Sequence, residues 1–354
     1  MTLLPPTYDI SKSYEENFNA GPVYAGPIPP MPVARKTWSF LGFELSSPIG
    51  VPAGPLLNAA YVELYARLGW DVPVYKTVRS VARASHPAPN CLFIATDPLT
   101  EADAHAVRRI APAPLSVDGL TITNSFGMPS MAPADWQADV RRASDALHPG
   151  QLLVVSIVGT PGADGRSLED DFAHTAALAR AAGARVIEAN FSCPNVASAE
   201  GELFRDARTS ASIVRKIKDR IGDIPLIVKI GALPEDRLAA VIEACLPFID
   251  GVAAINTVPL SIVDDGGNQA LPGAGRLKSG VCGAAIAGVA TEMTARLLTI
   301  RDRLKATFAV VSVGGVMSED DVDNRLAIGA DLVMSATAAM WDPLLASRWK
   351  DRHR

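Results

Sequence analysis

The sequence predicts an α/β fold, a (β/α)8 TIM barrel carrying a proline-rich N-terminal arm and a strand/loop insert over the barrel mouth. Three observations predict it. Eight short apolar or β-branched runs recur beyond residue 46, amphipathic segments separate most of them, and polar or glycine residues gather at the C-terminal ends of six. Near-continuous apolar strands joined by helices belong to a parallel sheet covered on its outer face. Eight of them favour closure into a barrel over an open sheet.

Residues 1–36 hold seven prolines, with "GPIPPMP" near the end. Proline lacks an amide donor and resists helix, so this stretch reads as an extended arm, wrapped on the body or partly mobile, and not as a core element. Residues 37–354 read as one domain. Its strands are "SPIGVPAG", "VPVYKTV", "LLVVSIVG", "RVIEANFS", "PLIVKIG", "GVAAINTV", "FAVVSVGGV" and "DLVMSATA". Its helices include "AAYVELYARLGW", "SLEDDFAHTAALARAAGA", "ARTSASIVRKIKDRIG", "PEDRLAAVIEACL" and "AAIAGVATEMTARLLTIRDRL". The main irregular insert spans about 79–135.

A hydrophobic share of 48% against 20% charged supplies a full core and argues against disorder. The net charge of −5 argues against a nucleic-acid or anionic-membrane partner, which needs a basic face. No apolar run is long enough to span a bilayer, and the opening residues lack a signal peptide's cationic start and apolar run. Cysteines 91, 193, 245 and 282 are unclustered, which argues against a metal site or an iron–sulfur cluster built by this chain alone. A reducing, cytoplasmic location fits free thiols. His174 reads as a residue of an ordinary amphipathic helix.

Barrel sites form at the C-terminal rim, and there the polar residues collect. They are Lys76, Ser156, Asn190, Lys229, the pair Asn256 and Thr257, and the pair Gly314 and Gly315. "SVGGVMSEDDV" reads as strand, glycine pair and a helix opening at Ser318; "GADLVMSATAAMW" makes a second such turn at Ala336 and Thr337. Paired turns at the last two strands suit a phosphorylated cofactor or substrate.

Lys76 and Lys229 follow apolar strand residues, where an ammonium needs a partner. A cation beside a flavin's pyrimidine edge would stabilise the reduced ring; a Schiff-base role is the competing reading. Asn124, Asn190, Asn195 and Asn256 offer paired donors and acceptors that complement a pyrimidine's imide and carbonyl edges. In "EANFSCPNVAS", Cys193 is either a small hydrophobe ending a strand or the acid/base of a site.

These blocks, with "TITNSFGMPS", "ANFSCPNV" and "GRLKSGVCGAAIAG", resemble in order the FMN-binding blocks of dihydroorotate dehydrogenases, from about Phe40 to Trp341. The resemblance implies a barrel holding one FMN with a small pyrimidine stacked on it. Cys193 would be the base that removes the C5 proton of dihydroorotate while C6 delivers hydride to flavin N5. A cysteine there is similar to the soluble class 1 enzymes of pyrimidine biosynthesis. Ala53, Gly54, Lys76, Asn124, Ser156, Asn190, Lys229 and Thr257 would line the flavin ring and ribityl chain. Gly280, Gly314, Gly315, Ala336 and Thr337 would take its phosphate side. Lys76, Asn124, Phe126, Gly127, Met128, Asn190, Asn195, Asn256 and Thr257 would hold the substrate. The resemblance also implies a homodimer, with fumarate, a quinone or an FAD/iron–sulfur electron-transfer subunit as electron acceptor. The "NTV" triplet at Asn256 resembles dihydropyrimidine dehydrogenases, which makes uracil or thymine chemistry the alternative. A non-catalytic phosphate-binding barrel and a lysine-dependent aldolase are the other rivals.

Overall fold

A computed structural model describes residues 6–30, 37–100, 103, 107–192 and 203–353. Helix α1 (Tyr14–Ala20) lies in the arm, and strands β1 (Trp38–Phe40) and β2 (Phe43–Leu45) form an antiparallel hairpin. Then come β3 (Ile49–Val51), α2 (Ala59–Arg67) and β4 (Val72–Val78). The insert follows as β5 (Cys91–Ala95), β6 (Val107–Ile110) and β7 (Thr121–Asn124), and α3 (Pro133–Asp145) returns the chain to the body. Next are β8 (Val154–Ile157), α4 (Leu168–Ala181), β9 (Val186–Asn190), α5 (Ala207–Ile221), β10 (Leu226–Ile230), α6 (Glu235–Cys245) and β11 (Gly251–Ala254). Strands β12 (Val258–Val263) and β13 (Lys278–Gly283) precede α7 (Ala287–Leu304). The chain ends with β14 (Ala309–Val313), α8 (Glu319–Ala327), β15 (Leu332–Met334), α9 (Thr337–Trp341) and α10 (Leu345–Arg352).

Strands β3, β4, β8, β9, β10, β11, β14 and β15 close into one parallel barrel in chain order. Each of the eight runs read from the sequence supplies one strand, so the TIM-barrel expectation holds. Side chains alternate between two buried faces, as a covered parallel sheet requires. Val74, Val154, Val186, Ile227, Ala253, Val311 and Leu332 fill the interior, whereas Val155, Ile187, Val228, Val252, Val310 and Val333 join the larger core under the helices. Phe40 and Leu45 of the hairpin belong to the interior cluster and plug the N-terminal end of the barrel. Only the opposite end is left for chemistry.

The insert does not stand alone. It combines with β12 and β13 into a second closed sheet, in the order β12-β13-β7-β5-β6. The sequence reading named no strand here, although Val258, Leu260 and Ile262 alternate inward at strand spacing. A glycine-rich turn hid the partner strand. The arm also departs from a purely extended form. Ser13 and Glu16 make a reciprocal capping box that starts α1, and Tyr8 and Tyr14 are buried in the main core. No helix of the described residues is long and apolar enough to cross a membrane.

Candidate active site

A cavity with about 820 Å³ of space, counted out to its open mouth, lies where the barrel's C-terminal rim meets the second sheet. Both the barrel strands and the second sheet bring polar groups to it.

On β4, three steps from Tyr75 to Val78 oppose two steps from Val155 to Ile157 on β8. This bulge carries an extra residue and breaks the alternation, so both Lys76 and Thr77 reach the cavity. On β9 and β10, Asn190 and Lys229 are register partners and face it together. Asn256, just past β11, completes that wall. Ala53, Gly54, Ala336 and Thr337 line the cavity from the loops after β3 and β15.

A hydrogen-bond chain fixes the central amide. Ser156 Oγ meets Thr77 Oγ1 at 3.0 Å, and Asn190 Nδ2 donates to Thr77 Oγ1 at 3.4 Å. Asn190 Oδ1 accepts from Asn256 Nδ2 at 3.3 Å, and Asn256 Nδ2 also donates to the Ser192 carbonyl. The protein therefore orients Asn190 before any ligand arrives, which lowers the ordering cost of binding.

The second sheet forms the roof. Cys91, Ile122, Asn124 and Cys282 project from one of its faces into the cavity, and Asn124 Nδ2 donates to Cys282 Sγ at 3.3 Å. Burial pushes both thiols up, and for Cys282 hydrogen bonds from Thr337 and Asn124 pull the other way. Neither is a thiolate at neutral pH.

The loop after β7 turns sharply through left-handed backbone at Gly127 (φ +78°) and Met128 (φ +51°). A side chain at 127 would meet the His86 ring at 2.6 Å, so only glycine fits. The loop is tied by His86 N donating to the Phe126 carbonyl at 2.9 Å and Arg79 Nε donating to the Met128 carbonyl at 3.0 Å. Phe126 and Met128 thereby present their side chains to the cavity.

Of the residues expected from sequence, the cavity gathers Ala53, Gly54, Lys76, Asn124, Phe126, Met128, Asn190, Lys229, Asn256, Ala336 and Thr337. Ser156, Gly127, Thr257, Gly280, Gly314 and Gly315 are not among its lining residues. Ser156 acts through Thr77, and the Gly280 backbone lies so near Thr257 that a Cβ there would meet Thr257 Oγ1 at 2.2 Å. A side chain at Gly315 would meet the backbone N of Ala287 at 2.5 Å, which lets α7 approach β14 closely. Cys193 and Asn195 lie outside the described residues. Sequence reasoning missed Tyr8, Pro55, Thr77, Cys91, Ile122, Cys282 and Met340, all of which line the cavity. Only Thr77, beside Lys76, carried a visible signal.

The residues present fit a flavin. Lys229 is 6% exposed, and its ammonium has no carboxylate partner among the described residues. Thr257 Oγ1, outside that lining, is buried without a hydrogen-bond partner among the described residues. A bound group carrying negative charge would relieve the buried lysine.

A closed parallel barrel, plugged below and open above onto a cavity of lysines and amides, defines a TIM-barrel enzyme with its site at the strand C-termini. The comparisons narrow this. The family model described as Dihydroorotate dehydrogenase matches residues 109–351. A dihydroorotate dehydrogenase of Dictyostelium discoideum is 36% identical over 372 aligned positions, covering 99% of this chain and 98% of that protein. A quinone-type dihydroorotate dehydrogenase of Kocuria rhizophila is 27% identical, over 87% and 82% of the two chains. The crystal structure of the Eimeria tenella dihydroorotate dehydrogenase in complex with ferulenol shares the fold, with a TM-score of 0.71 at 18% identity over 91% of this chain and 85% of that one. This chain belongs to the dihydroorotate dehydrogenase family.

Proposed function

We propose that this protein oxidises dihydroorotate to orotate with FMN as its cofactor. One observation carries the reading. In a chain of this family, Lys76, Asn124, Asn190, Lys229 and Asn256 converge on one cavity at the barrel rim. Bound FMN supplies the acceptor for the hydride that leaves C6 of the substrate.

The chain's own residues do the rest. Lys76 and Lys229 provide positive charge in a buried setting, where it stabilises added electrons and a substrate carboxylate more than it would in water. Asn190, held by Thr77 and Asn256, keeps its amide plane fixed against a pyrimidine edge. Cys193 is the proposed base. Its sulfur takes the C5 proton as the C6 hydrogen departs with its electron pair, leaving a C5–C6 double bond. The roof of buried Cys91 and Ile122 and half-buried Cys282 limits water at the reacting face.

The cofactor is tested on the purified protein, which should be yellow and release one FMN per chain on denaturation. Recovery of no flavin after reconstitution with FMN would overturn the reading.

A further inference from the structure

We propose that Tyr8, carried by the N-terminal arm, is a ligand-binding residue of this site, its phenol donating a hydrogen bond to a carbonyl or ring-nitrogen acceptor of the bound planar heterocycle. The proposal rests on the flavin–pyrimidine reading above and extends it to a segment outside the barrel.

Tyr8 lines the same cavity as Lys76 and Asn124. Its side chain is 2% exposed, yet its hydroxyl has no hydrogen-bond partner among the described residues. A buried hydroxyl without a partner is a cost that phenylalanine would avoid at the same shape. The cost is removed if the ligand brings the acceptor.

The position is also held on both sides, as a binding group requires. Thr7 N donates to the Met340 carbonyl at 2.8 Å, and Thr7 Oγ1 meets Tyr65 OH at 2.7 Å. Asp9 N donates to Asn17 Oδ1 at 2.8 Å, which locks the next residue onto α1. The Tyr8 ring stands edge-on to Phe126, with centroids 5.8 Å apart. Phe126 belongs to the loop that turns into the cavity, so the arm and that loop brace each other. Burial, and after it the neighbouring Cys91, raises the phenol's pKa, so the group stays protonated and acts as a donor.

Flavin and pyrimidine share the acceptor chemistry, and two binding measurements distinguish them. Tyr8→Phe and the parent are compared as full-length chain stripped of flavin and as holoprotein. Stability of the stripped protein is read by denaturation, FMN affinity by fluorescence quenching, and orotate affinity by the shift of the flavin spectrum. The stripped variant should be at least as stable as the parent, because no protein bond is lost. One of the two dissociation constants should rise about 5- to 15-fold, the worth of one hydrogen bond, and the one that moves names the ligand. A parent that binds both compounds, with a variant that binds both equally, would overturn this inference and leave the flavin reading intact. Failure of the parent to bind FMN or orotate would remove the reading and the inference together.

Discussion

Lys229 and Asn190 are register partners on adjacent parallel strands, so an ammonium and an amide face the cavity from the same level of the barrel. Their roles differ. The amide of Asn190 is engaged by Thr77 and Asn256, whereas the Lys229 ammonium is buried without a carboxylate among the described residues. On the proposed function the lysine's partner is the ligand. Lys229→Ala should weaken FMN binding by about 10- to 100-fold, the range of a charge-assisted hydrogen bond in a dry site. Fluorescence titration of the flavin-free protein measures it. An unchanged dissociation constant would place the lysine outside the cofactor's reach.

Arg276 is the clamp behind the loop that follows β7. It is 2% exposed and donates to the Ser125 carbonyl at 2.6 Å, the Pro87 carbonyl at 2.8 Å and the Pro89 carbonyl at 3.3 Å, as well as to Pro272. Arg276→Met keeps much of the length and removes every donor, leaving buried carbonyls unpaired. The loss should be about 2–4 kcal/mol of unfolding free energy. Chemical denaturation reads it, and orotate affinity should fall as Ser125–Met128 loosens. A loss within the range of an ordinary surface substitution would show that the carbonyls find other donors.

The barrel was legible in the sequence because eight apolar runs of strand length were each bounded by a glycine, a proline or a helical segment. The site was legible in part for the same reason. Lys76, Asn190, Lys229 and Asn256 stand out as polar residues at the ends of those runs. Tyr8 did not stand out, since its place depends on a tertiary contact between the arm and Phe126. Cys91 and Cys282 read only as unclustered free thiols. Burial does hold their thiols protonated, but the pairing of β5, β7 and β13 turns them toward the cavity. Strand pairing across a long insert is not encoded in local spacing. Nor is the bulge in β4, which brings Thr77 round to join Lys76.

His86 gives the fold a pH dependence of known sign. Burial, and after it Arg276 and Arg83, holds its imidazole below the ordinary value of 6.5. The unfolded chain then takes up the proton at a higher pH than the folded one. The stability from this group is complete above pH 6.5 and is lost as pH falls through the folded value. His86→Gln should flatten the fall in unfolding free energy below that pH. Equal slopes for variant and parent would show that the imidazole titrates normally.

The proposed base is separable from the two roof thiols. Cys91 and Cys282 should resist iodoacetamide at neutral pH in the native protein, because the thiolate is the reacting form and burial suppresses it. Cys193 should be the cysteine that orotate protects. Cys193→Ala should retain FMN and orotate yet slow flavin reduction by about 10²–10⁴-fold, the usual worth of a positioned base. If Cys193 were only a packing residue, the same variant would lose stability and keep the parental rate. Peptide mapping of the labelled protein and anaerobic half-reaction rates decide between them.

The proposed reaction in this cavity is oxidation of a pyrimidine bearing a carboxylate. Anaerobic stopped-flow bleaching of the flavin by dihydroorotate, compared with dihydrouracil, measures it. With Lys76 and the Asn124, Asn190 and Asn256 amides sharing one cavity, dihydroorotate should bleach the flavin far faster. Faster bleaching by dihydrouracil would overturn the dihydroorotate assignment and move the chain toward uracil or thymine chemistry.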